Sequence, residues 1–138
     1  MEKIVARTAG ASRGNPGPAA ASVSILAEGT VLKEVKISLG NAGDSFAGYY
    51  GVMLALQTFI QLYGEKTQEM QFEITLDDEV VKKQLSAELQ ITEPGLVPMF
   101  IEIHNLRVLS FPNLQFIHVR QELNSDARRL VNETLEGK

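Results

Sequence analysis

Residues 8–18 read Thr8-Ala9-Gly10-Ala11-Ser12-Arg13-Gly14-Asn15-Pro16-Gly17-Pro18, and this stretch organises the rest of the chain. It joins two strand-like runs, and three glycines with two prolines in eleven residues fix its backbone. Glycine permits positive φ or the close approach of a partner, while proline locks φ and removes a donor. A tight hairpin connection between neighbouring strands satisfies these residues. Two phosphate-cradling readings fail. Glycines at 10, 14 and 17 do not make G-x-G-x-x-G, and no Lys-Ser/Thr follows to make a P-loop.

Working outward, residues 3–9 are β-prone enough for a strand, and 19–27 read as a second, with Val23 and Ile25 on one face. Glu28-Gly29-Thr30 is a hairpin turn signal. In the third strand Val31, Val35, Ile37 and Leu39 alternate with Leu32, Glu34, Lys36 and Ser38, the period of a half-buried strand. Gly40 to Ser45 breaks the pattern, and Asp44 or Ser45 is suited to cap a helix. Residues 46–63 are apolar nearly all round, with only Gln57 and Gln61 clearly polar, which predicts a helix buried on more than one side. By spacing, Met53, Leu54, Phe59 and Leu62 are core residues, and Tyr49, Tyr50 and Tyr63 pack with them.

Met70, Phe72, Ile74 and Leu76 alternate as a fourth strand; Asp77-Asp78-Glu79 then opens a short helix to about Leu89. Pro94-Gly95 precedes a helix over 96–109, residues 114–119 make a fifth strand, and Asn124 is placed to cap a last helix to about Leu135. The order βββαβααβα calls for an α/β fold, a mixed sheet with helices on its faces, in one domain over 1–138.

The bulk properties narrow the setting. With 44% hydrophobic and 22% charged residues, the composition is that of an ordinary α/β protein. No apolar run reaches the roughly 20 residues that span a bilayer, and the first residues lack an export signal, so a cytoplasmic location and no membrane partner are expected. The absence of cysteine excludes disulfides and thiolate metal sites. In that setting the sequon at Asn132 reads as chance. A net charge of −4 removes the long-range attraction of a basic domain for nucleic acid, although a local basic face suffices for binding. His104 and His118 fall on different elements and read as structural.

The stretch Gly10 to Pro18 closely resembles the first strand and loop of type 1 ribonuclease H domains. Three later segments resemble that family in the right order: Leu76 to Leu85, His118 to Asn124, and Ala127 to Leu135. The resemblance implies a five-stranded sheet of order 3-2-1-4-5, its first three strands antiparallel, with helices on both faces. It also implies hydrolysis of the RNA strand of an RNA–DNA hybrid by two Mg²⁺ ions held on four carboxylates.

Residue by residue, those four positions fall on Ala9, Gly48, Asp77 and Arg128, so only Asp77 keeps a carboxylate. Asp77 is then the sole residual metal candidate, and no catalytic residue is expected. Neighbouring acids are poorly placed to substitute. Asp126 lies about 200° around the helix from Arg128, Asp78 should leave the chain in another direction, and Asp44 would need a remodelled loop. Arg128 is expected either to neutralise Asp77 from roughly the place of a metal ion or to face solvent. Tyr49 or Tyr50 is a candidate to fill space beside Gly48.

The resemblance also assigns nucleic-acid contact to the first loop, here Gly10, Ser12, Arg13, Gly14 and Asn15, and Lys83 joins these candidates by its charge. Arg13, Lys82, Lys83, Arg128 and Arg129 would form a modest basic rim. The family's Thr-Asn-Asn before the first helix becomes Gly43-Asp44-Ser45, adding an acid where phosphate would approach. Three readings follow. The first is an inactive domain, without cofactor, retained to bind RNA–DNA hybrid or other nucleic acid weakly, or a protein. The second is an unusual nuclease using Mg²⁺ or Mn²⁺ on Asp77 with Asp44 or Asp78. The third is a protein-interaction module or a homodimer along the third strand, against which Lys33, Glu34 and Lys36 act.

Overall fold

Alternating apolar residues become strands, and the all-round apolar run becomes a helix, in the computed structural model, which describes residues 3–137. Residues 1, 2 and 138 of the expected 1–138 domain lie outside the described residues. The strands are β1 (Lys3–Ser12), β2 (Gly17–Ala27), β3 (Thr30–Ala42), β4 (Gln71–Leu76) and β5 (Leu114–His118). The helices are α1 (Asp44–Tyr63), α2 (Glu79–Leu85), α3 (Val97–Ser110) and α4 (Ser125–Leu135). The sheet order is β3-β2-β1-β4-β5, with β1–β2 and β2–β3 antiparallel and β4 parallel to both β1 and β5. This is the expected 3-2-1-4-5 arrangement.

Period-2 alternation along β1 divides the molecule into two layers of packing. Ile4 and Ala6 bury against α1 in the main core with Val52, Leu56, Phe59, Phe72 and Ile74. Ala9, on the other face, packs with Ala20 and with Ala127 and Val131 of α4. Gly10 explains its own identity. A Cβ there would lie 2.2 Å from the carbonyl carbon of Ala47, so any side chain would push α1 off the sheet. At the far end Phe59, Phe72 and Phe111 close the core, with ring centroids 4.4 Å (Phe59–Phe72) and 5.2 Å (Phe72–Phe111) apart.

Local departures from expectation have local causes. Gly43, not Asp44 or Ser45, is the N-cap of α1, and no side chain caps that end. Leu62 is exposed, on the same solvent strip as Gln57 and Gln61. Val31 and Leu32 are both exposed because the β2–β3 register shifts between Ile25 and Leu26, which ends the half-buried alternation on that side. The second helix stops at Leu85 rather than near Leu89, and Ala87 then takes φ +62°. In the β2–β3 turn Glu28 and Gly29 both have positive φ, as a two-residue hairpin with the right twist requires.

Tyr49 is fully buried, and its hydroxyl donates to Oε1 of buried Gln84 at 2.7 Å. Burial first, then the carboxylates of Glu93 and Asp78, push its phenol up to about 12. A raised phenol pKa means that the folded chain favours the neutral form. That stability is complete below about pH 10 and is lost as pH rises toward 12. In an alkaline absorbance titration Tyr49→Phe should delete the ionisation near pH 12. At neutral pH urea melts should show a loss of about 1–3 kcal/mol, because Gln84 Oε1 is left without its donor. An unchanged alkaline titration would refute the assignment.

Candidate functional site

Because β1 and β4 pair in parallel as far as Arg7 and Thr75, the C-terminal end of β4 comes alongside Thr8 and Ala9 in the middle of β1, and α4 packs on β1 and β2. Thr8, Ala9, Gly10, Gly48, Leu76, Asp77 and Asp78 line a cleft there of only about 10 Å³, room for roughly one water. Three of the four positions singled out in the sequence therefore converge, and Arg128 reaches the same place from α4.

Asp77 follows the last residue of β4, and its carboxylate is enclosed: the side chain is 2% exposed, against 22% for Arg128. Arg128 Nε donates to Oδ2 at 2.7 Å and Nη2 donates to Oδ1, a two-pronged charge-assisted pair. Asn124 Nδ2 adds a third donor to Oδ2 at 2.8 Å and also donates to the Thr8 carbonyl at 2.9 Å. Those two acceptors dictate the amide orientation, since a flipped amide would set oxygen against oxygen. Asn124 was read from sequence as a helix cap. It does occupy the N-cap position of α4, but its side chain makes no cap hydrogen bond and instead ties α4 to β1 and Asp77.

At Gly48 a Cβ would stand 3.3 Å from Val81 Cγ2, so α2 has closed over the point where a longer side chain would begin. Neither tyrosine fills that space. Tyr49 turns to Gln84, and Tyr50 lies near Phe46 with ring centroids 6.2 Å apart.

The other acids are engaged elsewhere. Asp78 Oδ1 accepts the Val81 amide at 3.2 Å and caps α2. Asp126 accepts from Arg7 at 3.1 Å. Asp44 accepts from Ser12. Among the described residues no three His, Cys, Asp or Glu side chains group as metal ligands, and His104 instead stacks on Phe100. Two Mg²⁺ ions need several hard oxygens, and Mg²⁺ dehydrates reluctantly. A single carboxylate with both oxygens already paired does not fit that requirement.

The first loop is interlocked with the β3–α1 connection. Asp44 Oδ1 accepts from the Ser12 amide and lies 2.8 Å from the Ser12 hydroxyl, also at 2.8 Å from the amide nitrogen. That hydroxyl is also 2.5 Å from the Gly14 carbonyl, so two acceptors share one proton. Asn15 Oδ1 accepts the Asp44 amide at 3.1 Å, and a Cβ at Gly43 would be 2.8 Å from the same oxygen. Arg13 is exposed, its Nη1 3.3 Å from the Leu135 carbonyl. The expected basic rim is largely neutralised. Lys82 pairs with Glu88, Arg128 with Asp77 and Arg129 with Glu34 and Glu133, while Lys83 stands 4.0 Å from Glu79.

No family model matches the chain. Among curated proteins, "Bifunctional protein Rv2228c" of Mycobacterium tuberculosis is 29% identical over 137 residues, 98% of this chain. The chain spans 36% of that relative's length. "Ribonuclease HI" of Halobacterium salinarum is 30% identical over 128 residues, 92% of this chain and 61% of that protein. Among solved structures, LC11-RNase H1, isolated from compost by a metagenomic approach, is 35% identical with a TM-score of 0.93, covering 99% of this chain and 98% of that one. The same protein solved in complex with RNA/DNA hybrid is 33% identical, TM-score 0.92, with 97% of each chain covered.

Proposed function

Given that this chain belongs to the type 1 ribonuclease H family, we propose that it is a catalytically inactive member, without cofactor, that works in the cytoplasm as a nucleic-acid-binding module. The observation that carries this reading is the paired Asp77–Arg128. In-line phosphoryl hydrolysis with two metals requires carboxylates that hold both ions against the attacking and leaving oxygens. Here a guanidinium supplies the compensating charge instead, fixed by covalent attachment and two hydrogen bonds. Cation for cation, Asp77 is satisfied without an ion, and Ala9 and Gly48 offer no oxygen from their side chains.

Nucleic acid is the preferred ligand because the loop Gly10 to Asn15 carries the residues that the family resemblance assigns to nucleic-acid contact, and because LC11-RNase H1 has been solved with an RNA/DNA hybrid. One observation favours a protein partner as second reading: α3 leaves Ile101, Val108 and Leu109 exposed at 51%, 69% and 69%, an apolar face on an outer helix.

Incubation of a labelled RNA–DNA hybrid with Mg²⁺ or Mn²⁺ should give no cleavage. Anisotropy of the same hybrid should report binding that weakens linearly on a log–log salt plot, with a small slope set by few phosphate contacts. Metal-dependent turnover abolished by Asp77→Asn would overturn the inactivity, and no binding at low salt would overturn the ligand class.

A further inference from the structure

The loop that the proposed function assigns to nucleic acid is not open in this chain. Ser12 is half-buried at the end of β1, and both of its donors, the amide and the hydroxyl, converge on Oδ1 of Asp44. An anion held by a backbone N–H and a hydroxyl is the arrangement by which proteins hold a phosphodiester oxygen. Asp44 is the first residue of α1, and its own amide is anchored to Asn15 Oδ1. The two connections are thereby clamped across the mouth of the loop. Asn15 is engaged by the same residue, so one side chain and its amide occupy two of the five loop positions expected to contact a ligand.

We infer that Asp44 sets the nucleic-acid affinity of this face by filling its anion seat with an internal carboxylate, which a phosphodiester must displace. This rests on the nucleic-acid reading above and adds to it a determinant of how tightly, and at which loop, the ligand is held. Displacement has a structural exit. Asp44 is exposed and can rotate to solvent, and the Ser12 hydroxyl has the Gly14 carbonyl as an alternative acceptor while the amide turns to the incoming oxygen. The cost to binding is electrostatic. A carboxylate within about 4 Å of a phosphate, in a largely aqueous setting, weakens binding about five-fold.

The test compares wild type, Asp44→Asn and Asp44→Ala for anisotropy of a labelled RNA–DNA hybrid at low salt, with thermal melts to show that each variant is folded. Asn keeps an acceptor for Ser12 but removes the charge, and Ala removes both. The expected order is Ala tighter than Asn and Asn tighter than wild type. The Asn variant gains about five-fold, and the salt slope of the Ala variant is steeper by about one phosphate contact. Adding Ser12→Ala to Asp44→Ala should erase part of the gain. A second readout needs no hybrid: inorganic phosphate should shift the Ser12 amide resonance in the Asp44→Ala protein and leave it unmoved in wild type. Equal hybrid affinities in all three proteins with no phosphate shift would overturn the inference while the wild type's own binding keeps the proposed function. A phosphate shift without hybrid binding by any variant would support the seat and overturn the proposed function.

Discussion

Arg128→Ala should lower folding stability by about 3–5 kcal/mol, the loss typical of removing one partner from a buried ion pair. The size follows from the asymmetry of the pair. Asp77 is 2% exposed and receives three hydrogen bonds, two of them from Arg128. Without the guanidinium the carboxylate keeps one side-chain donor, Asn124, in a cleft with room for about one water. The reverse change is milder. Asp77→Asn leaves Arg128, at 22% exposure, free to swing outward and hydrate its charge. The Asp77→Asn/Arg128→Ala double variant should therefore be more stable than Arg128→Ala alone, a coupling that urea denaturation of all four proteins measures directly. A loss below about 1 kcal/mol for Arg128→Ala would place the pair with exposed ion pairs and remove the case that it replaces a metal.

Most of the fold was legible because it is written in short-range patterns. Alternation at Phe72, Ile74 and Leu76, the unbroken apolar run of α1, and the Glu28-Gly29 turn each specify an element within a few residues. Sheet order was not of this kind. It came from the resemblance, and the structure agrees with it. Misreadings fall where a distant contact outcompetes a local preference. Asn124 does stand at the N-cap of α4, but its amide goes to Thr8 and Asp77, both far away in sequence, rather than to the helix it caps. Asp44 likewise looks like a cap, and its carboxylate goes to Ser12 across 32 positions. The closure of α2 onto Gly48 had no sequence signal, since Val81 is an ordinary core residue until the glycine opposite lets it approach. The basic rim failed partly for a related reason, since Glu34 on β3 reaches Arg129 across the fold, while Glu133, four residues on in the same helix, is a pair the sequence spacing already allows.

Combining Ala9→Asp, Gly48→Glu and Arg128→Asp should create a metal-dependent protein. Without metal the variant should be markedly less stable than wild type. It gathers four carboxylates around a nearly closed cleft and deletes the cation that compensated Asp77. Added Mg²⁺ should then raise its melting temperature in a concentration-dependent way, because an ion that binds only the folded chain stabilises it by mass action, and wild type should not respond. Cleavage of labelled hybrid should rise at least about a hundred-fold above the wild-type background, the scale on which single electrostatic stabilisers act on such reactions. Val81 is the steric obstacle, standing 3.3 Å from the new Cβ at position 48, so Val81→Ala belongs in the series as a relief change. The two readouts separate two faults. If Mg²⁺ stabilises the variant but the hybrid stays intact, the ions are held and the substrate is not seated. Asp44→Ala, which frees the Ser12 donors, is then the further change expected to restore cleavage. Failure even of that combination, with the fold and the metal response intact, would mean that the hybrid-binding surface itself has gone, and the exposed face of α3 would become the stronger guide to what this domain binds.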